Sequence, residues 1–432
     1  MRAGARLQGA IEVIGDILDR HRPAGGALQD WGRAHRFAGS GDRAAIGNLV
    51  YDALRRRASI AWMMDEETPR ALALGAARYG WDVSVDEIKG WFEDDKFAPD
   101  KMTDAEIAAL ERTDFSGAPD WVQADVPEWI FPAFQDNFDD KAIAEGRALS
   151  QRPPTDLRVN RLKSTRDKVL AALKRFDPKP TELSQDCIRL SPSAGSGRNP
   201  NVQVEAGYQR GHFEVQDEGS QIVSQLVYAQ PGEQVLDYCA GAGGKTLALA
   251  GMMEKKGQIY SYDVDRNRLS PIYERLKRAG AHNVQVRAPD DGALDSLKGH
   301  MDRVVVDAPC TGSGVWRRRP DAKWRLTEDA LHMRMAEQAE ILRDASQYVR
   351  PGGFLCYITC SILPQENEGQ IADFLDTDPE FELLSAGEVW EDLYGASDLK
   401  PWSADGCSVT LTPASTNTDG FYFAVLARKP IK

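Results

Sequence analysis

Two cysteines stand where a thiol could do chemistry. "RVVVDAPCTGSG", residues 303–314, is an apolar run that ends at Asp307, with Cys310 three residues later. "GGFLCYITCS", residues 352–361, is a second apolar run, ending at Cys360. A thiolate that adds to carbon 6 of a pyrimidine pushes electron density onto carbon 5, which can then take a methyl group from an electrophilic donor. A carboxylic acid near ring nitrogen 3 stabilises the charge that develops. A further group must help to strip the proton from carbon 5 and release the thiolate. Cys310, Cys360 and Asp307 are the residue types this chemistry needs, and nothing in those types says which cysteine attacks. Cys187, Cys356 and Cys407 read instead as small apolar residues.

A methyl donor needs its own site, and "VLDYCAGAGGKT", residues 235–246, offers one: a strand, a turn of small residues, then a helix. Glycines allow positive φ and let a ligand approach backbone closely. Such a turn could serve NAD, FAD or S-adenosylmethionine, and the acids around it favour the last. Asp237 directly precedes the turn, where it would repel a pyrophosphate and attract the ammonium and sulfonium charges of S-adenosylmethionine. Asp263 ends the next strand, "GQIYSYD", where an acid can take both ribose hydroxyls. Asp290, after "NVQVRAP", is placed to meet an adenine amino group.

The elements that carry these residues alternate. From about residue 215, strands ("QVLDYCAG", "GQIYSYDVD", "NVQVRAP", "DRVVVDAP", "GGFLCYITCS") take turns with helices. This implies a mostly parallel, doubly wound sheet, with ligands at the carboxyl ends of its strands. Upstream, residues 1–115 read as helical; Ile46, Leu49, Val50, Ala53 and Leu54 share one helix face, with Asp42 as an expected N-cap. Gly117, Pro119 and Pro127 break that pattern. From 150 to 212, "LRVN", "DCIRLS" and "HFEVQD" read as strands beside the helix "STRDKVLAALKRF", a small α/β unit.

The chain has 432 residues and a net charge of −13. The charge is uneven: residues 91–145 hold 15 acids and 4 bases, and residues 147–179 hold 10 bases and 3 acids. A local basic surface can bind phosphate even on an acidic protein. Arg158, Arg161 and Lys163 in the basic stretch, and Arg317, Arg318, Arg319, Lys323 and Arg325 after Cys310, are the candidate phosphate contacts. No apolar run reaches membrane-span length and no signal peptide is evident, so a cytoplasmic protein with reduced thiols and no membrane partner is expected. No CxxC pair occurs, so no metal is expected. A monomer is the expected state.

"DYCAGAGGKT", "DVDRNRL", "DAPCTGSGVWRRRPDAKW" and "YITCSILPQENEGQI" resemble the successive motifs of the RsmB/Sun (Fmu) family of RNA cytosine-5 methyltransferases, and "GHFEVQDEGSQ" resembles the family's entry into its catalytic domain. The likeness spans roughly residues 150–430. It implies an α/β fold with a Rossmann-like S-adenosylmethionine-dependent catalytic domain over 213–432. Linker helices and a small α/β RNA-binding subdomain would fill 126–212. It implies Cys360 as nucleophile, Cys310 as the residue that assists release, and Asp307 on the base. It implies a cofactor held by Cys239, Ala240, Gly241, Ala242, Gly243, Gly244, Lys245, Asp263 and Asp290, with Asp307 adjoining; Lys245 could face the cofactor or Asp307. In DNA cytosine-5 methyltransferases the Pro-Cys cysteine is the nucleophile instead. The family's turn usually reads Cys-Ala-Ala-Pro-Gly-Gly-Lys, and Gly241-Ala242 replace Ala-Pro here. "GDRAAIGNLVYDALRRR" weakly resembles a NusB-like RNA-binding domain, over 1–125, which would favour ribosomal RNA over transfer RNA. The same chemistry on transfer RNA, and a non-catalytic RNA-binding assembly factor on the same fold, are the alternatives.

Overall fold

Apolar residues at three- and four-residue spacing build the first of two units. The computed structural model describes residues 1–403 and 405–430, and the chain divides into one unit of residues 1–153, 192–200 and 316–326 and a second unit of the remainder. In the first unit, helix Ala3–Arg20 buries Leu7, Ala10, Val13, Ile14 and Ile17 against Ile46, Leu49, Val50, Ala53 and Leu54 of helix Ser40–Arg55. The expected N-cap is corrected. Gly39 occupies that position, and Asp42 sits three residues on, where its carboxylate accepts the Gly39 N–H at 3.2 Å. Helices continue to Leu149, so the helical unit runs past residue 125 to Pro153.

The segment Trp316–Leu326 is part of this helical unit. Trp316 stacks on Phe134 at 5.9 Å. Lys323 is 1% exposed, and its Nζ donates to the Arg55 and Asp125 carbonyls at 3.0 and 2.6 Å and to Ser150 Oγ at 3.2 Å. Burial lowers its pKa to about 8. Trp324 Nε1 donates to the Leu54 carbonyl at 2.6 Å. Arg55 Nε donates to the Arg317 carbonyl at 2.8 Å, and the Arg317 side chain is itself buried.

The second unit holds two sheets. The smaller is antiparallel, in the order β2-β3-β1-β4, from β1 (Thr155–Val159), β2 (Lys179–Pro180), β3 (Cys187–Leu190) and β4 (Phe213–Val215). Asp156, Cys187 and Glu218 converge on it. Arg189 supplies the counter-charge, forked onto Asp156 with two 2.7 Å hydrogen bonds and reaching Glu218 at 3.2 Å.

The larger sheet comprises β5 (Gln234–Asp237), β6 (Gln258–Tyr262), β7 (Val284–Arg287), β8 (Met301–Asp307), β9 (Val349–Thr359), β10 (Phe381–Leu384), β11 (Val409–Leu411) and β12 (Phe421–Arg428). Its order is β10-β12-β9-β8-β5-β6-β7, with β11 on β12. Strands β5 to β9 pair in parallel, whereas β10, β11 and β12 form an antiparallel edge. No described helix is long and apolar enough to cross a membrane.

Polar rivets join the small sheet to helix Ile272–Ala279, which lies between β6 and β7. Asn160, just past β1, donates from one amide nitrogen to the Gly211 and Ala279 carbonyls, each at 2.8 Å. Glu214 of β4 takes Arg275 at 3.1 Å and Arg278 at 2.6 Å. Asn160→Ala would leave two buried carbonyls without a donor, at a cost of about 1–3 kcal/mol. We expect its urea unfolding midpoint to fall below the parent's with no change in helical signal at zero urea.

Candidate functional site

Strand pairing brings the two thiols together. In the parallel register of β8 and β9, Asp307 pairs with Ile358, so both chains leave the sheet at the same edge. Cys360 lies two residues beyond that pair and Cys310 three. Their sulfurs are 3.3 Å apart, both thiols are free, and each is partly exposed. The hydrogen bond to Cys360, and then burial, push the Cys310 thiol well above its ordinary pKa.

The loop geometry is tightly held. Gly314 N–H donates to the Cys360 carbonyl at 3.0 Å, and Gly314 accepts from Gly420 at 2.8 Å. A Cβ at Gly314 would lie 2.3 Å from the Gly420 oxygen, so only glycine allows this approach. Ser313 Oγ meets Ser361 Oγ at 2.9 Å, and Asn367 Nδ2 donates to the Ser361 carbonyl at 3.0 Å. The buried Glu366 accepts the Thr311 N–H at 2.8 Å, the Thr311 hydroxyl at 2.5 Å and Gln338 Nε2 at 3.0 Å. Sequence reasoning did not single out Glu366, Gln338 or Ser313. Glu366 and Asn367 lie inside "LPQENEGQI", the end of the motif quoted above, and the density of polar residues directly after an apolar strand is their local signal.

The glycine turn follows β5 and leads into helix Gly244–Met252. Gly241 and Gly243 adopt φ of 50° and 81°, and a Cβ on Gly243 would strike Ile272 at 2.5 Å. Asp263 is nearly fully buried. One of its oxygens accepts the Gly241 N–H at 2.9 Å and the other the Asp265 N–H at 2.9 Å. Its carboxylate therefore shapes the turn as well as facing it. Asp290 is exposed, 2.8 Å from Arg266. Lys245 Nζ reaches Asp307 Oδ2 at 2.6 Å. Cys239 is held neutral by burial.

Asp237 does not line the open side of the turn as expected. It is fully buried beneath it, with Oδ2 accepting the Thr246 hydroxyl at 2.6 Å and Oδ1 lacking a partner. The reason is its position as the last residue of a strand flanked by β6 and β8. Asp263 and Asp307 lie at the turn with Lys245 between them, and Asp237 lies beneath it. That set fits a ligand carrying positive charge and would repel a pyrophosphate.

Three expected phosphate contacts are corrected. Arg158 is buried, with Nη1 donating to Gln216 Oε1 at 2.5 Å and to the Gly244 carbonyl at 2.8 Å, so it braces the turn from β1. Arg317 and Lys323 are buried in the helical unit, where carbonyls from distant parts of the chain take the place of phosphate around the Lys323 ammonium. Arg161 is exposed and paired with Asp186. The exposed Lys163 donates to the Arg210 and Arg278 carbonyls. Arg319 and Arg325 are exposed, the latter paired with Asp321, and Arg318 is half-buried.

Burial raises the Asp237 carboxyl from its ordinary 3.8 to about 7. Between those values the folded chain holds a proton that the unfolded chain has released, so rising pH through that window lowers stability. Asp237→Asn removes this dependence. In thermal melts from about pH 5 to 7.5, the gap between variant and parent should widen in the variant's favour as pH rises; a constant gap would refute the assignment.

Comparison with known proteins agrees with this geometry. Residues 224–427 match the family model described as 16S rRNA methyltransferase RsmB/F, and residues 126–194 match the RsmF/B-like ferredoxin-like domain. The ribosomal RNA small subunit methyltransferase B of Enterobacter sp. (strain 638) is 34% identical over 307 residues, 70% of this chain and 66% of that protein. Its namesake from Sodalis glossinidius is 37% identical over 287 residues, 65% and 61% respectively. The alignments thus span about two thirds of these relatives' length. Among solved structures, PH0851 covers 99% of both chains with a TM-score of 0.72 at 23% identity. A methyltransferase homologue from Pyrococcus horikoshii covers 72% of this chain and 97% of its own, at 0.59 and 25%. With its parallel sheet, glycine turn and paired strand-end thiols, the chain belongs to the RsmB/F family of methyltransferases, a Rossmann-like fold that uses S-adenosylmethionine.

Proposed function

We propose that this protein methylates carbon 5 of a cytosine in RNA, with 16S ribosomal RNA as the substrate. The observation that carries the chemistry is the pair of free sulfurs 3.3 Å apart, two and three residues past the paired ends of adjacent parallel strands, with Asp307 at one of those ends. A scaffold with no reaction to run has no need of two thiols so placed. The names of the ribosomal relatives favour ribosomal over transfer RNA.

S-adenosylmethionine, held around residues 239–245, Asp263 and Asp290, supplies an electrophilic methyl group. Cys360 adds through sulfur to carbon 6 of the base, and the electron pair of the 5,6 double bond shifts to carbon 5. Asp307, tethered by Lys245, meets the ring near nitrogen 3. Carbon 5 takes the methyl group as the donor's sulfur–methyl bond breaks and its sulfonium becomes a neutral thioether; the carbon 5 proton then passes to water, the double bond re-forms and the bond from Cys360 to carbon 6 breaks. Cys310, at hydrogen-bond distance from the departing sulfur, assists this release. Arg161, Lys163, Arg319 and Arg325, all exposed, and the half-buried Arg318 are the remaining candidates for phosphate contacts.

Asp263→Ala frees the Gly241 and Asp265 amides and removes the ribose partner. Calorimetric titration should show S-adenosylmethionine binding weakened by about 1–3 kcal/mol; unchanged affinity would move the cofactor elsewhere. Cys360→Ala should abolish methylation and form no covalent complex. Cys310→Ala should stall after methyl transfer and leave a slow-migrating protein–RNA band on a denaturing gel, formed only with S-adenosylmethionine. The double variant should lose that band. A band in Cys360→Ala and none in Cys310→Ala would exchange the two roles, and full activity in both would reduce the thiols to packing.

A further inference from the structure

Two thiols at 3.3 Å share a problem that their residue type does not solve. Only one can lose its proton readily, since two thiolates at that distance repel strongly. Which sulfur keeps the proton decides which is nucleophile, and the loop around Cys310 is not symmetric with the loop around Cys360. Glu366 lies on the Cys310 side. It is fully buried at the end of the turn Pro364–Glu366 and fastened by two hydrogen bonds to Thr311, the neighbour of Cys310. Its third partner, Gln338 Nε2, also donates to the Pro309 carbonyl at 2.9 Å, on the other side of Cys310. The donors are all neutral, and no Lys or Arg pairs with Glu366 among the described residues. The remaining groups around the pair do not offset this charge. Tyr357 of β9 donates its hydroxyl to the Glu366 carbonyl and is kept neutral by burial. Cys239, after β5, is likewise neutral. Asp307 at the end of β8 is matched by Lys245 of helix Gly244–Met252.

We propose that Glu366 is a positioning residue that holds the Cys310 loop from both sides and, by its buried negative charge, keeps the shared proton on Cys310, so that the sulfur that ionises is Cys360. Cys360, partly exposed, releases its proton to solvent. The Cys310 S–H then points its hydrogen at the Cys360 thiolate, ready for the moment when that sulfur leaves the base. The upward shift of the Cys310 thiol, to which the Glu366 charge contributes after the hydrogen bond to Cys360, burial and the Cys360 charge, agrees with this direction. The use made of the thiolate rests on the proposed methylation; the ionisation order does not.

The test needs no RNA. The full-length protein is treated with limiting iodoacetamide from about pH 6.5 to 10, spanning the ordinary thiol range, and each cysteine is followed by peptide mass spectrometry. In the parent, Cys360 should be alkylated before Cys310 throughout. In a Cys360→Ala background, which isolates Cys310, Glu366→Gln should speed Cys310 alkylation about tenfold on the rising limb, a shift of about one pH unit. Glu366→Asp, which keeps the charge, should lie near the parent profile. Equal Cys310 profiles with and without Glu366→Gln would overturn the proposal. So would Cys310 reacting first in the parent, a result that stands even if Glu366→Gln fails to fold. If the labelling order holds but no protein–RNA band forms, the methylation reading fails and this one stands. If the band forms while labelling is unchanged, only this inference is lost.

Discussion

Everything at the site depends on the register between β8 and β9. Parallel strands end on one edge of a sheet, and the Asp307–Ile358 pairing sets how far each chain has run when it leaves that edge. A slip of one residue would turn every side chain to the opposite face and carry one thiol away from the other. The register is fixed by burial. Val304, Val305, Val306, Leu355, Cys356, Tyr357 and Ile358 are all fully buried, so neither strand has a solvent face to slip toward. The short polar network beyond the strand ends, from Ser313 and Ser361 to Asn367, then fixes the sulfurs within a framework already aligned by the sheet.

Much of this was legible before any coordinates, and the boundary of legibility has a physical cause. The alternation of apolar runs with helices gave away the sheet, because strands buried on both faces must be apolar throughout. The glycine turn and the two strand-end thiols were legible for the same reason: each is a local pattern next to a strand. The antiparallel edge β10 to β12 was not, since pairing between residues 349–359 and 421–428 crosses some sixty residues and leaves no local period. Charge misled most. Lys323 and Arg158 are cations, and cations need oxygen partners, but their partners are carbonyls and a glutamine side chain drawn from remote parts of the chain. A sequence shows that a partner is required; it does not show whether that partner is a phosphate or the protein's own backbone.

The glycine turn is held by contacts from outside it. A proline at position 242 would fix φ through its ring. With Ala242 there, three side chains fix the turn instead of a ring. Arg275 Nη1 donates to the Ala242 carbonyl at 2.7 Å, Arg158 to that of Gly244, and Asp263 accepts from Gly241. Two of these three arms come from the large-sheet region and one from β1 of the small sheet. The small sheet is therefore a working part of the turn's geometry. The rivets at Asn160 and Glu214 keep that arm at its proper distance.

Four acids serve the site, and their environments divide the work among them. Asp237 meets only a hydroxyl and lies buried, which favours its neutral form near neutral pH and makes it a support under the turn. Asp263 meets backbone amides, so it couples the turn to the loop after β6. Asp307 meets Lys245 and stays partly exposed at the end of β8. Glu366 meets only neutral donors and sees no solvent, so its field acts on whatever lies nearest, which is the Cys310 loop. The same functional group thus differs from place to place according to whether its neighbours are a single hydroxyl, backbone amides, an ammonium or a set of neutral donors. Exchanging any one environment for another would change the job without changing the residue.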